Sequence, residues 1–318
     1  MSRAARTWFW LIPFYVALAT AAGFSDYHTR LNPDLGFTKY IPEVVSGTAE
    51  PPGRYRVLAP LLFDRVEHAS RWSPVTDWLV FRWTCLLLAL VASHVYLRTW
   101  FGDGETALGN ALLMALLPLT FTNSWPNPDQ FTELALFTLA CACIARGWWW
   151  AFLAALTLNA FNRETSVFLV LLFAVAGPMD RRRLSRAAVA GALWAAVTVG
   201  LRWRLGFVPY DPWHLTANVA SLVPMGPGFP GYKRIFGWFF LVLLVPCFLV
   251  ATRQWARQPR TARMAAAVVA PLFVLTGVLL SSTIESRIFT PVLPLLAPSM
   301  LFALCGRDVR PAPPAPGL

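Results

Sequence analysis

Long apolar stretches recur along almost the whole chain and constrain its fold more than any other feature. Several approach the ~20 residues that an α-helix needs to cross a bilayer. The ten candidate spans, separated by prolines, glycines and charged residues, cover 8–23, 77–97, 106–122, 130–145, 148–160, 164–178, 186–204, 235–252, 264–281 and 288–304. Since 57% of the residues are hydrophobic and 14% are charged, this pattern predicts an all-α, polytopic membrane protein with about 10 transmembrane helices.

The expected organisation is one transmembrane domain over residues 1–304 and a disordered cytoplasmic tail over 305–318. A long first outer loop, 24–76, contains "YRVLAPLLFDRVEHASRW", whose helical spacing of apolar residues predicts a helix lying along the membrane surface. A second outer loop, 205–234, is rich in proline and glycine. The first apolar stretch has no obvious cleavage site, so we expect a transmembrane helix there rather than a signal peptide.

The net charge of +11 does not indicate a nucleic-acid partner, because the basic residues are scattered through short loops. With the N-terminus in the cytoplasm, 14 basic residues fall in inner segments and six in outer ones once the first outer loop is set aside. This is the positive-inside bias, and it predicts that both termini are cytoplasmic. Most acidic residues fall on the outer side, which favours an extracytoplasmic working face.

Polar residues from distant parts of the sequence reach that outer side. Arginine presents a planar fork of donors suited to phosphate oxygens, so a set of arginines there fits an anionic lipid headgroup. The candidate phosphate-binding residues are Arg54, Arg56, Arg163 and Arg287, and the candidate supporting residues are Asn127, Asp129, Asn162, Glu164 and Glu285. A carboxylate in the same cavity can act as a general base.

Simpler structural roles are open for the same residues. Asn127 or Asp129 can cap the fourth span, with Glu133 placed favourably near the helix N-terminus. Arg163 with Glu164, and Glu285 with Arg287, can form ion pairs that hold helix ends together. No metal site is expected, because His28, His68 and His214 lack recognisable ligand spacing, and the cysteines fall in apolar segments.

The layout resembles that of the GT-C glycosyltransferases, which are multi-pass membrane enzymes. The resemblance lies in Asp26 directly after the first span in "GFSDYH", in the long first outer loop, and in "ESRIFTPVLP" at the start of the last span. "YRVLAP" and "NRET" also look like segments of small bacterial membrane proteins with this layout. Many GT-C members carry an acidic pair after the first span, whereas here Tyr27 follows Asp26 and the next acid is Asp34.

The resemblance implies a multi-pass protein of a bacterial inner (plasma) membrane. It also implies transfer of a sugar from a polyprenyl-phosphate carrier to an envelope glycan, lipid or protein acceptor on the extracytoplasmic face, with inversion. Asp26, or Asp34 in its place, would be the catalytic base, and the arginines would hold the donor phosphate. No cofactor is implied, and a divalent cation is not indicated. The alternatives are a transporter, flippase or polymerase for lipid-linked glycans, and a non-catalytic assembly partner.

Overall fold

A computed structural model describes residues 3–29, 36–121, 128–209, 213–220, 231–281 and 286–306. The described residues form helices and connecting turns, with no β-strand among them. The helices are α1 Arg3–Thr29, α2 Gly36–Val45, α3 Leu58–Ala69, α4 Pro74–Leu97, α5 Asp103–Leu116, α6 Asp129–Arg146, α7 Trp149–Asn162, α8 Val167–Val175, α9 Arg181–Leu205, α10 Leu215–Ala220, α11 Gly231–Ala251, α12 Arg260–Met264, α13 Ala270–Leu280 and α14 Val292–Cys305. The all-α class predicted from the sequence is therefore confirmed.

Four helical segments are long and apolar enough to cross a membrane. They are Trp8–Tyr27 in α1, Pro74–Leu97, Arg181–Leu205, and Arg260–Leu280, where a π-helical turn joins α12 to α13. The expected count of about 10 spans is not confirmed. The other predicted spans also fall on helices, but α5, α7, α8 and α14 have only 14, 14, 9 and 14 residues, and α6 carries charged residues over its 18 residues.

The outermost helices expose large apolar side chains. Trp203 of α9 is 80% exposed and Trp10 of α1 is 72% exposed. Only 11% of the apolar window of α9 is buried, against 50% for α4. Exposed apolar surface on this scale is unfavourable in water and favourable in hydrocarbon, which supports membrane association.

Local sequence signals set several helix ends. Ser73 caps α4 by accepting a hydrogen bond from the backbone N–H of Thr76, and Pro74 follows in the first helical turn. Gly147 ends α6 with φ 71°, a left-handed conformation that glycine adopts without steric cost. These ends fix where the polar connections between helices begin.

The centre of the bundle is the pair α4 and α6, with α1, α7 and α14 packed around it. Small buried residues, among them Ala89 and Ala140, let these helices approach closely. Cys85, Cys141, Cys143 and Cys247 are free and buried in the bundle, as expected for packing residues.

The break between α7 and α8 determines where one buried arginine lies. Arg163 has an extended backbone, with φ −158° and ψ 143°, and a short 3-10 turn over Glu164–Ser166 leads into α8. The extended residue interrupts what would otherwise be one helix. Its side chain lies against the N-terminal turn of α6.

The two outer loops contact each other and the bundle. The Tyr55 hydroxyl donates to the Gly206 carbonyl at 2.9 Å and accepts from the Val208 N–H at 3.1 Å. The helix predicted in the first outer loop is observed as α3, which packs on α2, α4 and α7. In the second loop, the Asn218 side chain donates to the Val278 carbonyl at the end of α13.

Candidate functional site

A buried ion cluster joins α6 to the end of α7. We call Asp129, Glu133 and Arg163 the α6–α7 ion cluster. Arg163 donates from Nε to Asp129 Oδ2 at 2.9 Å and from Nη1 to Glu133 Oε2 at 2.7 Å. Asp129 and Glu133 lie four residues apart on one face of α6, so a single guanidinium reaches both. The three side chains are at most 1% exposed.

Neighbouring residues of the "NRET" segment complete this cluster. Asn162 donates from its side-chain amide to the Asp129 backbone carbonyl at 3.0 Å. The Thr165 hydroxyl donates to the second carboxylate oxygen of Glu133. The polar residues in this apolar run therefore fasten the α7–α8 break onto α6.

Arg56 lies at the rim of the cluster and is held much more loosely than Arg163. Its Nη1 is 3.6 Å from Asp129 Oδ2, and its Nε is 3.6 Å from Glu164 Oε2. The Arg56 side chain is 16% exposed and that of Glu164 is 25% exposed. Arg56 can therefore turn toward a ligand while Arg163 continues to neutralise Asp129.

Tyr40 of α2 lies in the same region, close enough for the charges of Asp129, Arg56, Arg287 and Arg163 to act on its phenol. Burial, and after it the Asp129 carboxylate, raises the pKa of Tyr40 above its ordinary value.

Gly53 makes room for this tyrosine. A Cβ at Gly53 would lie 2.9 Å from the Tyr40 ring. The residue at position 53, just before Arg54, must therefore be very small for Tyr40 to take up this position.

A second buried ion pair adjoins the cluster. Arg82 of α4 donates from Nε to Asp26 Oδ2 of α1 at 2.8 Å, and its Nη2 lies 2.7 Å from the same oxygen as an ion pair. The Arg82 guanidinium lies over the Phe131 ring at 4.0 Å from its centroid. Phe131 is only two residues from Asp129, and the Asp129 charge also acts on Arg82.

The structure brings together most of the residues expected at the outer face. Arg56, Arg163, Asp129, Asn162 and Glu164 are in direct contact with the cluster or its rim. Arg287 is 4% exposed, and Arg54 is partly buried on the turn just before Arg56. Asp34, Asn127 and Glu285 lie outside the described residues.

Several partners differ from those expected. Arg163 pairs with Asp129 and Glu133, whereas Glu164 faces Arg56. Asp129 lies in the first turn of α6 and makes no side-chain capping hydrogen bond, because its carboxylate faces Arg163 instead. The predicted cap at Asp129 and the predicted Arg163–Glu164 pair are therefore not what the structure contains.

Arg82 and Tyr40 are not among the site residues predicted from the sequence. Arg82 interrupts the second predicted span, and a charged residue within a span is a signal for a buried partner. Tyr40 carries no comparable signal, because a tyrosine in an outer loop is common at membrane interfaces.

Several buried polar atoms around the cluster have no hydrogen-bond partner among the described residues. They are Tyr40 OH, Arg54 Nε, Arg56 Nε, Asp129 Oδ1, Asn162 Oδ1, Arg163 Nη2 and Glu164 Oε1. Leaving such an atom unpaired costs about 1–3 kcal/mol. Unpaired buried polar atoms in such number are a feature that a bound polar ligand could explain.

Within the described parts of the chain, no group of three His, Cys, Asp or Glu side chains is arranged to hold a metal ion. Of the histidines outside the spans, His68 lies on the exposed end of α3. Its Nδ1 lies 2.8 Å from the Asp64 backbone carbonyl, and this hydrogen bond is the main reason that the pKa of His68 is raised.

Comparison of this chain with protein-family models, with curated proteins and with solved structures gave no match.

Proposed function

We propose that this chain is an integral membrane glycosyltransferase that uses a polyprenyl-phosphate sugar as donor. The acceptor would be an envelope glycan, lipid or protein on the extracytoplasmic side of a bacterial inner membrane. The observation that carries the proposal is the convergence of arginines, carboxylates and unpartnered buried polar atoms at one end of an apolar helical bundle. Intramembrane ionisable groups are costly, so such a concentration indicates a functional site. The short motifs shared with GT-C enzymes support the same class.

The arginines have separate roles in this proposal. Arg56, with Arg54 and Arg287 beside it, binds the donor phosphate. Arg163 is a positioning residue, because its Nε and Nη1 are already bonded to Asp129 and Glu133. When Arg56 turns to the phosphate, Asp129 keeps its partner Arg163, so the fully buried carboxylate stays compensated. Glu164 loses its contact with Arg56, but its side chain is 25% exposed.

The transfer step would be a direct displacement. The acceptor hydroxyl loses its proton to a carboxylate and attacks the anomeric carbon while the bond from that carbon to the phosphate oxygen breaks. The electron pair goes to the phosphate, and arginines placed around it lower the barrier by stabilising that charge. The attack from the opposite face inverts the anomeric centre.

Asp26 and Asp34 are the two candidate bases. The hydrogen bond and the ion pair with Arg82 orient the Asp26 carboxylate, and the residue is only 2% exposed. A catalytic role for Asp26 thus requires the pair to open toward the acceptor. Asp34 is the alternative in the same outer loop.

The prenyl tail of the donor would lie on the apolar surface of the bundle. The apolar pocket between α5, α11 and α14, lined by Leu113, Leu116, Leu293, Leu296 and Met300 among others, has a volume of only about 10 Å³ and is too small for a prenyl chain. A lipid whose phosphate lies at Arg287 would direct its tail along α14, which begins at Val292, five residues further on.

The test is release of free polyprenyl phosphate by the purified chain in lipid discs, offered a panel of polyprenyl-phosphate sugars and a pool of envelope acceptors. We expect release by the wild type and by Asp64→Asn, an outer-loop control whose side chain is 29% exposed. Loss in Asp34→Asn, or in Asp26→Asn with an unchanged unfolding transition, identifies the base.

Two other outcomes would contradict the proposal. Donor that crosses the bilayer unchanged would indicate a transporter or flippase. Donor that binds without being consumed by any acceptor would indicate an assembly partner. A third outcome, a product that grows by repeated glycan units, would indicate a polymerase that uses the same class of lipid-linked donor.

A further inference from the structure

Two basic segments, distant in sequence, meet at the end of the molecule opposite the candidate site. They are "DRRRLSR", 180–186, and "RQWARQPRTAR", 253–263, with eight arginines and one acidic residue between them. That acid, Asp180, already accepts a hydrogen bond from the Arg183 N–H at 2.7 Å as the cap of α9. We call these residues the basic patch.

The two segments are fixed on the C-terminus of α8. Arg183 Nε donates to the Phe173 carbonyl at 2.7 Å, and Arg260 Nε donates to the Val175 carbonyl at 3.3 Å. The last carbonyls of a helix have no partner within it, so these side chains satisfy them.

Gly177 allows the close approach of Arg183. A Cβ there would lie 2.0 Å from Arg183 Nη1, so a larger residue would require the end of the arginine side chain to move. The hydrogen bonds to the end of α8 hold the basic patch in the fold, so it is not merely a pair of charged loops.

Four of the eight arginines, Arg181, Arg182, Arg253 and Arg257, are exposed at the surface. Next to them Met179 is 63% exposed and Leu184 is 46% exposed, so apolar surface borders the charges. This is the composition of a surface that lies where headgroups meet hydrocarbon.

The length of α9 separates this patch from the candidate site. The helix has 25 residues, which at about 1.5 Å per residue is roughly 37 Å. Its other end carries Arg202, whose guanidinium lies over the ring of Tyr55. Tyr55 stands between Arg54 and Arg56 in the first outer loop. Ligand binding at the patch is thus physically distinct from binding at the site.

We propose that the basic patch binds the phosphate headgroup of an anionic phospholipid in the leaflet that it faces. The bias of positive charge toward the cytoplasm accounts for the presence of arginines, but it does not require that two segments be fastened together on one helix end. Lipid phosphates are concentrated at the surface where α9 enters the membrane, and guanidinium groups bind them in bidentate fashion. The proposal rests on membrane insertion of the chain and not on glycosyl transfer.

The experiment measures binding of phosphatidylglycerol to the purified full-length chain in detergent by native mass spectrometry, with phosphatidylcholine as neutral lipid. The test variant is Arg181→Gln/Arg182→Gln/Arg253→Gln/Arg257→Gln. The matched control is Lys39→Gln/Arg65→Gln/Arg71→Gln/Arg204→Gln, which removes four exposed charges elsewhere. Each arginine lost from the patch should weaken binding by about fivefold, so the test variant should lose roughly a hundredfold or more, while the control stays within about twofold of wild type.

Any of three results would overturn the proposal. The first is binding of phosphatidylglycerol by the test variant as tight as that by wild type. The second is an equal loss of binding in both variants, which would show non-specific attraction. The third is displacement of the lipid by soluble glycerol 1-phosphate at matched concentration, which would show a free-phosphate site. A salt titration of the wild type is a further test that does not depend on any variant folding. Raising salt from about 0.1 M to about 1 M should weaken lipid binding, and salt-independent binding would also contradict the proposal.

Discussion

Arg163 and Arg56 have the same side chain in different environments, and we infer from this difference that they have different roles. Arg163 is 1% exposed and makes two charge-assisted hydrogen bonds. Arg56 is 16% exposed, and its two carboxylate neighbours lie at 3.6 Å. A tightly paired buried arginine contributes to the fold, whereas a loosely paired arginine at a rim can exchange its partner for a ligand.

Replacing Arg163 should therefore destabilise the protein. Arg163→Met leaves Asp129 and Glu133 buried with no compensating charge from that position, and removal of one partner of a buried pair costs about 3–5 kcal/mol. Arg56→Gln should change stability by about 1 kcal/mol or less. Unfolding of the two variants and wild type in the same detergent measures this difference, and equal stability of Arg163→Met and Arg56→Gln would refute the division of roles.

The elements that position the site depend on close packing at a few glycines. Gly277 of α13 faces the ring of Phe289, and a Cβ there would lie 2.5 Å from Phe289 Cε1. Phe289 is completely buried and ends the short 3-10 turn Ser286–Phe289 that carries Arg287. The fit between α13 and this turn thus helps to place a candidate phosphate ligand.

Gly277→Ala should destabilise the protein, whereas Gly200→Ala should not. The first substitution overpacks a buried contact, at about 1–3 kcal/mol. Gly200 lies in α9 with nothing within 4 Å of an added Cβ, so alanine there gains helix propensity, about 0.5–1 kcal/mol. Thermal unfolding of both variants measures this difference. An unchanged unfolding midpoint for Gly277→Ala would contradict the prediction and show that the turn tolerates movement of Phe289.

Apolar periodicity predicted the helices well, because burial in hydrocarbon or against a neighbouring helix needs long apolar runs, and each predicted run falls on a helix. It did not predict partners. Asp26 and Arg82 are 56 residues apart, and no local pattern links them. Arg56, Arg163 and Asp129 could be grouped from the sequence because topology placed them on one side, but only the three-dimensional packing shows that Arg163 is occupied by Asp129 and Glu133.

At the scale of the whole molecule, the bundle has two different polar ends. One carries the ion cluster, its rim and the outer loops, and the other carries the basic patch. A fixed orientation in the membrane would place the first end outside the cytoplasm and the second within it.

Labelling with a membrane-impermeant maleimide tests that orientation. The five native cysteines, four of them buried, would first be replaced. Lys39→Cys in α2 should be labelled in intact spheroplasts, while Ser185→Cys in α9 should be labelled only after lysis, since both positions are exposed but lie at opposite ends. The reverse pattern would place the candidate site in the cytoplasm and exclude an extracytoplasmic reaction.

The most direct test of the central claim is equilibrium binding of polyprenyl phosphate, without sugar, to the purified chain. The account predicts that wild type binds it and that Arg54→Gln/Arg56→Gln binds at least about tenfold more weakly, since each charge-assisted hydrogen bond lost costs about 1.5–3 kcal/mol. Arg65→Gln/Arg71→Gln, in the same outer loop and exposed, should bind as wild type does. Equal binding by all three proteins would contradict a phosphate site at the rim of the α6–α7 ion cluster.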